Sequence, residues 1–551
     1  MIERHGVASL RKRKKTVASA GRLGLNGRTM IRFGARWGLG AALAGLMAAC
    51  IPALAAEPDI PPEFQTQIAA GAAPANGPII PAAALRSASA PSDPDSAALA
   101  GALDRLIARD GRANPLGAGD WRAARAAIGA FYAARLFAPV WVDAGGLTKA
   151  GRSAAATLAA ASDDGLDLGA FAPPRAVAPG LSAEERAGAE AEFAAAVVIY
   201  AEQASGARLA PQRVSALFSD TPAVADPGEA LADTAAAPDP GGRLAAFNPP
   251  QRGYRMLREA LRRDLAEPAP QPGAVASDVG PAPALIAPDD DALAPARRRS
   301  GAKGRRIALA LAVPDRAPST ARRRAVVLAN MEMWRWMPRD MGERRIEVNV
   351  PDFTVALYEG DAVVHRARVV VGKPDTPTPI FSDLVRYVVI NPSWRVPDSI
   401  IKKEMMGKLD SLGQRGFEVK TVNGRITVRQ LPGERNALGR LAFMFPNDHA
   451  VYLHDTPAQA LFDEDARAYS HGCVRVEDPV RLAELVLGWP EERIEAAFGP
   501  KERAVYLSRP LPIHIEYFTA FVDEDGALRE RPDVYGLTQR VAGTLVGARQ
   551  D

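Results

Sequence analysis

Apolar residues recur every third or fourth position through much of the first half of the chain, and every second position through much of its last part. The first period marks a helix with one buried face, the second a strand with one buried face. AARAAIGAFYAARLFAPVW keeps its apolar stripe at helical spacing until Pro139, where the fixed φ and missing N–H stop a helix. LSAEERAGAEAEFAAAVVIYAEQAS is a second long amphipathic stretch. Ser182 is its predicted N-cap, with Glu185 three residues on to return the hydrogen bond. NPPQRGYRMLREALRRDLA, residues 248–266, opens a further helix after its prolines. A helical domain is therefore expected over residues 97–266.

From about Ala321 the period shortens. RRIEVNVPDFTVALYEGDAVVHRARVVVG reads as strands around a turn at Glu359-Gly360-Asp361. VRYVVINPSW, GFEVKTVNGRITVRQ and HAVYLHD continue the β pattern, with Asn423-Gly424 as a tight turn. PVRLAELVLG and EERIEAAFG then read as helices. The predicted fold class is α+β and multidomain: a mostly-β domain with a few helices over residues 321–545, preceded by an α-helical domain, with a short tail at 546–551.

Two stretches have no periodic face. Residues 57–96 and 267–320 are rich in Ala and Pro, and both are expected to be disordered linkers. The cluster ARRRSGAKGRR in the second is expected to be solvated. Residues 1–56 read as an export signal: Arg32 and Arg36 precede an apolar run that ends in Ala53-Leu54-Ala55, an A-x-A cleavage pattern. Met30 would itself begin a compact signal. Cleavage after Ala55 or Ala56 is the expectation; a lipidated Cys50 or an uncleaved membrane anchor are the alternatives. Residues 1–55 hold ten Lys and Arg against Glu3, a charge of +9, while the whole chain carries +4. The remainder is thus near −5, and the basic pI gives no support for nucleic-acid binding.

The signal also removes one of the two cysteines, leaving Cys473 alone and without an internal disulfide partner. It lies in AYSHGCVRVEDP, two residues after His471. An unperturbed thiol is only a few per cent thiolate at neutral pH, so a nucleophilic cysteine needs a base or a positive dipole. His454 ends the strand AVYLH, where Tyr452 and His454 share one face and Val451 and Leu453 the other. If that strand lies beside the one carrying Cys473, imidazole and thiol meet. Gly472 would let a substrate approach the backbone, and nearby amides could donate to an oxyanion. The competing readings are a buried inert thiol and a zinc site from His454, His471 and Cys473. No C-x-x-C or H-E-x-x-H accompanies these residues, so no metal is expected. Asp455 is expected to hold the following turn, and His365, His449 and His514 to be structural or exposed. Trp334 and Trp336 are expected in the core rather than as a sugar-stacking pair.

His454, fifteen intervening residues and then Ser470-His471-Gly472-Cys473 resemble the signature of the YkuD-type L,D-transpeptidase family, H-x(14–17)-[ST]-H-G-C. NMEMWRWMPRDMGERRIEVNVPDF, VVVGKPDTPTPIFSD, VVINPSWRVPDSI, LPGERNALGRLAFMFPN and VYLHDTP resemble catalytic-domain blocks of its large multi-domain Gram-negative branch. FYAARLFAPVWVDAGGLT and PPQRGYRMLREAL resemble that branch's helical scaffold domain.

The resemblance implies a periplasmic enzyme and a catalytic domain built as a sandwich-like pair of sheets. Cys473 would be the nucleophile and His454 the general base. Gly472 and Cys473 would be oxyanion donors through their amides; Ser470, His471 and Arg475 would orient the site. Tyr452 and Trp394 would line the pocket, under a mobile cap at about 398–440. The substrates would be peptidoglycan stem peptides, a tetrapeptide donor and a diaminopimelate acceptor, joined in a 3→3 cross-link through a thioester. Water or an envelope protein are the other acceptors, carbapenem β-lactams would acylate the cysteine, and no cofactor is implied. Two features depart from the branch or from its smaller relatives. The phrase F-Q-x-R-x-G-L of the usual peptidoglycan-binding module is absent from 267–320, and Arg475-Val476 stands where smaller relatives often have Asn.

Overall fold

The computed structural model describes residues 93–108, 121–169, 172, 177–264 and 320–547. The expected signal, the linker at 267–320 except its last residue, and most of the first linker lie outside these residues. Residues 94–96, placed in that linker by the sequence, are helical instead. Helix α1 (Pro94–Ala108) opens there because the Asp93 carboxylate accepts the Ser96 N–H at 2.9 Å and Asp95 pairs with the buried Arg186.

The helical domain also contains α2 (Trp121–Ala134), α3 (Lys149–Ala159) and α4 (Ala183–Ala204). The predicted capping box starts α4: Ser182 Oγ accepts the Glu185 N–H, and the Glu185 carboxylate accepts the Ser182 N–H. α2 stops before Pro139. Leu136 and Phe137 take left-handed φ angles of 55° and 58°, and the Phe137 N–H returns to Tyr132 O at 2.8 Å. The Glu190 carboxylate of α4 accepts the N–H groups of Val140, Trp141 and Val142, tying the reversed chain to the domain core. Around it pack Leu103, Phe131, Tyr132, Trp141, Phe193 and Val197.

The last scaffold helix, α5 (Arg252–Asp264), leaves that core. Its Tyr254, Leu257 and Leu261 pack with α6 (Thr320–Trp336) in the core of the β domain. Gly253 allows the approach, since a Cβ there would lie 2.3 Å from the Trp334 ring. α6 is buried on all sides over its second half. Trp334 stacks on Phe518 at 4.2 Å and Trp336 meets Phe218 edge-on at 4.9 Å, so both tryptophans serve the core. Arg335 donates to Asp164 O at 2.5 Å and to Tyr254 Oη at 2.8 Å, and it pairs with the fully buried Glu332.

The β domain is built on a nine-stranded sheet. Its strands are β1 (Arg344–Asn349), β2 (Thr354–Glu359), β3 (Ala362–Gly372), β4 (Phe381–Ile390), β8 (Leu441–Met444), β9 (Leu453–His454), β10 (Ala468–Ser470), β11 (Val474–Val476) and β12 (Arg503–Glu516). Their order is β10-β3-β11-β9-β8-β4-β12-β1-β2. β2 also pairs with β3, so the sheet curls back on itself. The sandwich-like pair of sheets is therefore one continuous sheet, closed by the β2–β3 hairpin because β3 holds partners along both halves of its length. Ile346, Val348, Val355, Leu357, Val388, Leu453, Val474 and Ile513 fill the interior.

Between β4 and β8 the chain builds the cap. Strands β5 (Trp394–Arg395), β6 (Phe417–Val422) and β7 (Arg425–Gln430) form a small sheet in the order β5-β7-β6. Asn423 and Gly424 have φ of 51° and 76°, the pair of positive angles that a two-residue turn requires. The cap has its own core of Val396, Ile400, Ile401, Met405, Leu412, Phe417 and Val428. Pairing through Trp394 starts it four residues before the predicted boundary.

Candidate active site

Strands β9 and β11 run parallel, with Leu453 opposite Val474 and His454 opposite Arg475. Leu453, Val474 and Val476 point inward and are fully buried. Alternation then sends Tyr452, His454, Cys473 and Arg475 to the outer face, with Cys473 alongside Tyr452. The strand adjacency that the sequence reading required is present.

The His454 ring is locked. Its Nδ1 lies 2.5 Å from Asp455 O, so that nitrogen carries the proton and Nε2 keeps its lone pair. The Tyr452 ring packs against it at 5.6 Å. Burial, assisted by the Arg475 charge, pushes its pKa down to about 3. Burial also pushes the Cys473 thiol up, outweighing contacts with Tyr452 and the Arg475 charge, which favour thiolate. The thiol donates to Ala450 O at 3.7 Å. Both partners are thus neutral at rest. A neutral thiol beside a neutral imidazole suits proton transfer during attack rather than a standing ion pair.

The turn before the cysteine is tightly held. Gly472 has a φ of +119°, a conformation that favours glycine. Ser470 is buried, and its Oγ donates to Cys473 O and accepts the Gly472 N–H at 3.1 Å. The Gly472 amide is thus engaged within the turn. The Cys473 amide is the remaining candidate donor to an oxyanion. The nearest clamp is the loop after β3. Thr378 Oγ1 donates to Gly472 O at 2.8 Å and accepts the Gly372 N–H at 2.9 Å. Lys373 N and Thr376 Oγ1 both donate to Ser470 O. Tyr535 Oη donates to Gly372 O at 2.7 Å. Sequence reading missed Thr378 and Tyr535, although TPTPIF was among the stretches carrying the resemblance. The signal was Gly372, where a Cβ would lie 2.3 Å from Thr376 O.

Arg475 sits between Val370 and His454 in the sheet, and its Nε is sealed from solvent without a hydrogen-bond partner. His471 turns the other way, to the cap, where its Nε2 lies 3.0 Å from Glu404 Oε1. Trp394 packs on the cap core, paired with Gln430. Asp455 accepts the Arg440 and Thr456 N–H groups and holds its turn, as expected. His449 meets Ser219 Oγ at 2.8 Å, and His514 bridges Ser382 and Met341, both structural placements. Among the described residues no group of three His, Cys, Asp or Glu side chains could hold a metal ion.

Comparison with known proteins agrees with this geometry. Residues 343–507 match the family model for the L,D-transpeptidase catalytic domain, YkuD, and residues 126–261 match that for the scaffold domain. A curated Haemophilus influenzae protein, assigned as a candidate L,D-transpeptidase, is 30% identical over 224 residues, 36% of this chain. The match spans 45% of that protein, less than half its length. The solved L,D-transpeptidase from Mycobacterium smegmatis is 14% identical, with 32% of this chain and 58% of that one covered, at a TM-score of 0.19. L,D-transpeptidase 3 from Mycobacterium tuberculosis, in complex with a faropenem-derived adduct, is 14% identical, with 32% and 60% covered, at a TM-score of 0.18. The two matched models fall, in the same order, on the helical domain and on the sheet that holds Cys473, and the chain therefore carries a YkuD L,D-transpeptidase catalytic domain behind a scaffold domain.

Proposed function

We propose that the protein is a periplasmic L,D-transpeptidase that forms 3→3 cross-links between peptidoglycan stem peptides. The observation that carries the mechanism is the His454 lock, which leaves Nε2 unprotonated on the strand beside that of Cys473. Cys473 Sγ attacks the carbonyl joining the third stem residue, diaminopimelate, to D-Ala in position four, and His454 Nε2 takes the thiol proton. The Cys473 amide donates to the oxyanion. As the C–N bond breaks, the His454 imidazolium returns its proton to the departing D-Ala amine, leaving a thioester. The side-chain amine of a second diaminopimelate then attacks, His454 takes its proton, and the thiol is released. One amide replaces another, so no ATP is required. Ser470 and Arg475 orient the site, Tyr452 lines the sulfur, and carbapenems acylate the same cysteine. Export through residues 1–56 would deliver the enzyme to this substrate.

The test uses the purified chain from residue 57 onward with a disaccharide-tetrapeptide from a diaminopimelate-type wall, read by mass spectrometry. A dimer lacking one D-Ala, absent with Cys473→Ala, supports the proposal. Tripeptide monomer alone would replace it with an L,D-carboxypeptidase, and product formed only with an added envelope protein would replace it with protein attachment.

A further inference from the structure

The cap reaches the nucleophile turn through one side chain. Glu404 lies in a π-helical turn, Ile401–Met405, a local insertion that often marks functional sites. Ile401 and Met405 on either side of it are buried in the cap core at 3% and 1% exposure, which fixes its backbone. Lys402 is exposed, while the Glu404 side chain is only 16% accessible and meets His471 Nε2 at 3.0 Å. His471 in turn lies between Ser470, whose hydroxyl bonds both Gly472 N and Cys473 O, and Gly472, whose carbonyl Thr378 holds. The turn is thus clamped from the sheet side by Thr378 and from the cap side by Glu404.

We propose that Glu404 is a positioning residue: closing the cap seats its carboxylate on His471 and fixes the 470–473 turn in the geometry that acylation of Cys473 requires. The cap then does more than cover the cleft. When it opens to admit a stem peptide, the turn loses one of its two clamps, and the nucleophile is fully set only after the cap closes over the substrate. This rests on Cys473 being the nucleophile.

The experiment measures the single-turnover rate of Cys473 acylation by a carbapenem in four proteins: wild type, Glu404→Ala, Glu404→Gln and Glu404→Ala/His471→Ala, with His471→Ala as reference. A charge-assisted hydrogen bond of this kind predicts a loss of about tenfold for Glu404→Ala. Glu404→Gln keeps an acceptor and should stay within about threefold of wild type. The double variant should be no slower than His471→Ala alone, because both changes break the same contact. Hydrogen exchange should rise at 398–412 in Glu404→Ala and stay unchanged in the 417–430 hairpin. If the hairpin also opens, Glu404→Gln decides: a rate near wild type supports positioning, and one as low as Glu404→Ala overturns it. A wild-type rate in Glu404→Ala, or additive losses in the double variant, would also overturn it. No acylation of the wild type would instead refute the nucleophile assignment on which the proposal rests.

Discussion

Moving the pH is the most searching perturbation of the Cys473–His454 pair, because the two groups are displaced in directions that keep both neutral. The imidazole is pushed down to about 3 by burial and the Arg475 charge, and burial raises the thiol. At pH 5 an imidazole at its ordinary value near 6.5 would be about 3% unprotonated, whereas one near 3 is about 99% so. The available base therefore differs by about 30-fold at that pH. With His454 acting as the base, the rate of carbapenem acylation should vary by less than about twofold from pH 8 to pH 5. Thiolate absorbance at 240 nm should be weaker at pH 7 than that of an ordinary cysteine. His454→Ala should slow acylation by about 10² or more, and its residual rate should climb about tenfold per pH unit, as expected when free thiolate is the only nucleophile. An acid limb centred near pH 6.5 in the wild type, or a thiolate signal at pH 6, would refute the neutral-pair reasoning.

Other consequences follow from the same contacts. Thr378→Val strands the buried Gly372 N–H and frees Gly472 O, and should cost about 1–3 kcal/mol in stability together with slower acylation; an unchanged rate would show that the clamp is not needed. Arg335→Met leaves the fully buried Glu332 without its ion-pair partner and takes a donor from Asp164 O, at about 3–5 kcal/mol, so Tm should fall on the order of 10 °C. A shift under 2 °C would refute that network's role, taking ~2 °C as the least that 1 kcal/mol produces in a domain this size. His454 binds its proton less readily folded than unfolded, so its contribution to stability is lost as pH falls below about 6.5 towards about 3. Between pH 7 and pH 5 this amounts to about 2 kcal/mol, and His454→Asn should lose that much less than wild type in denaturant titrations.

What was legible in the sequence was what neighbouring residues decide among themselves. The Ser182–Glu185 cap, the Asn423-Gly424 turn and the shared face of Tyr452 and His454 depend on local backbone and on period, and all three are present. That β9 would lie beside β11 was only a condition of the sequence reading, and its parallel direction comes from the fold. Long-range meetings left weaker marks. Thr378 reaches Gly472 from 94 residues away and Tyr535 reaches Gly372 from 163, and no period announces that. Glu404 reads as one acid among lysines until the cap folds it onto His471. The bond from the Gly472 amide to Ser470 Oγ was not foreseen for a similar reason: it forms within a turn where Gly472 takes a positive φ. Helix α5 carried a helical signature but not the information that its apolar face belongs to the β-domain core.

The most direct test of the central claim is the intact mass of the protein after incubation with a carbapenem, followed by peptide mapping, in the wild type and in Cys473→Ala. One adduct per chain is expected, mapped to Cys473, with none on the variant. An adduct elsewhere, or no adduct on a folded wild-type protein, would contradict it.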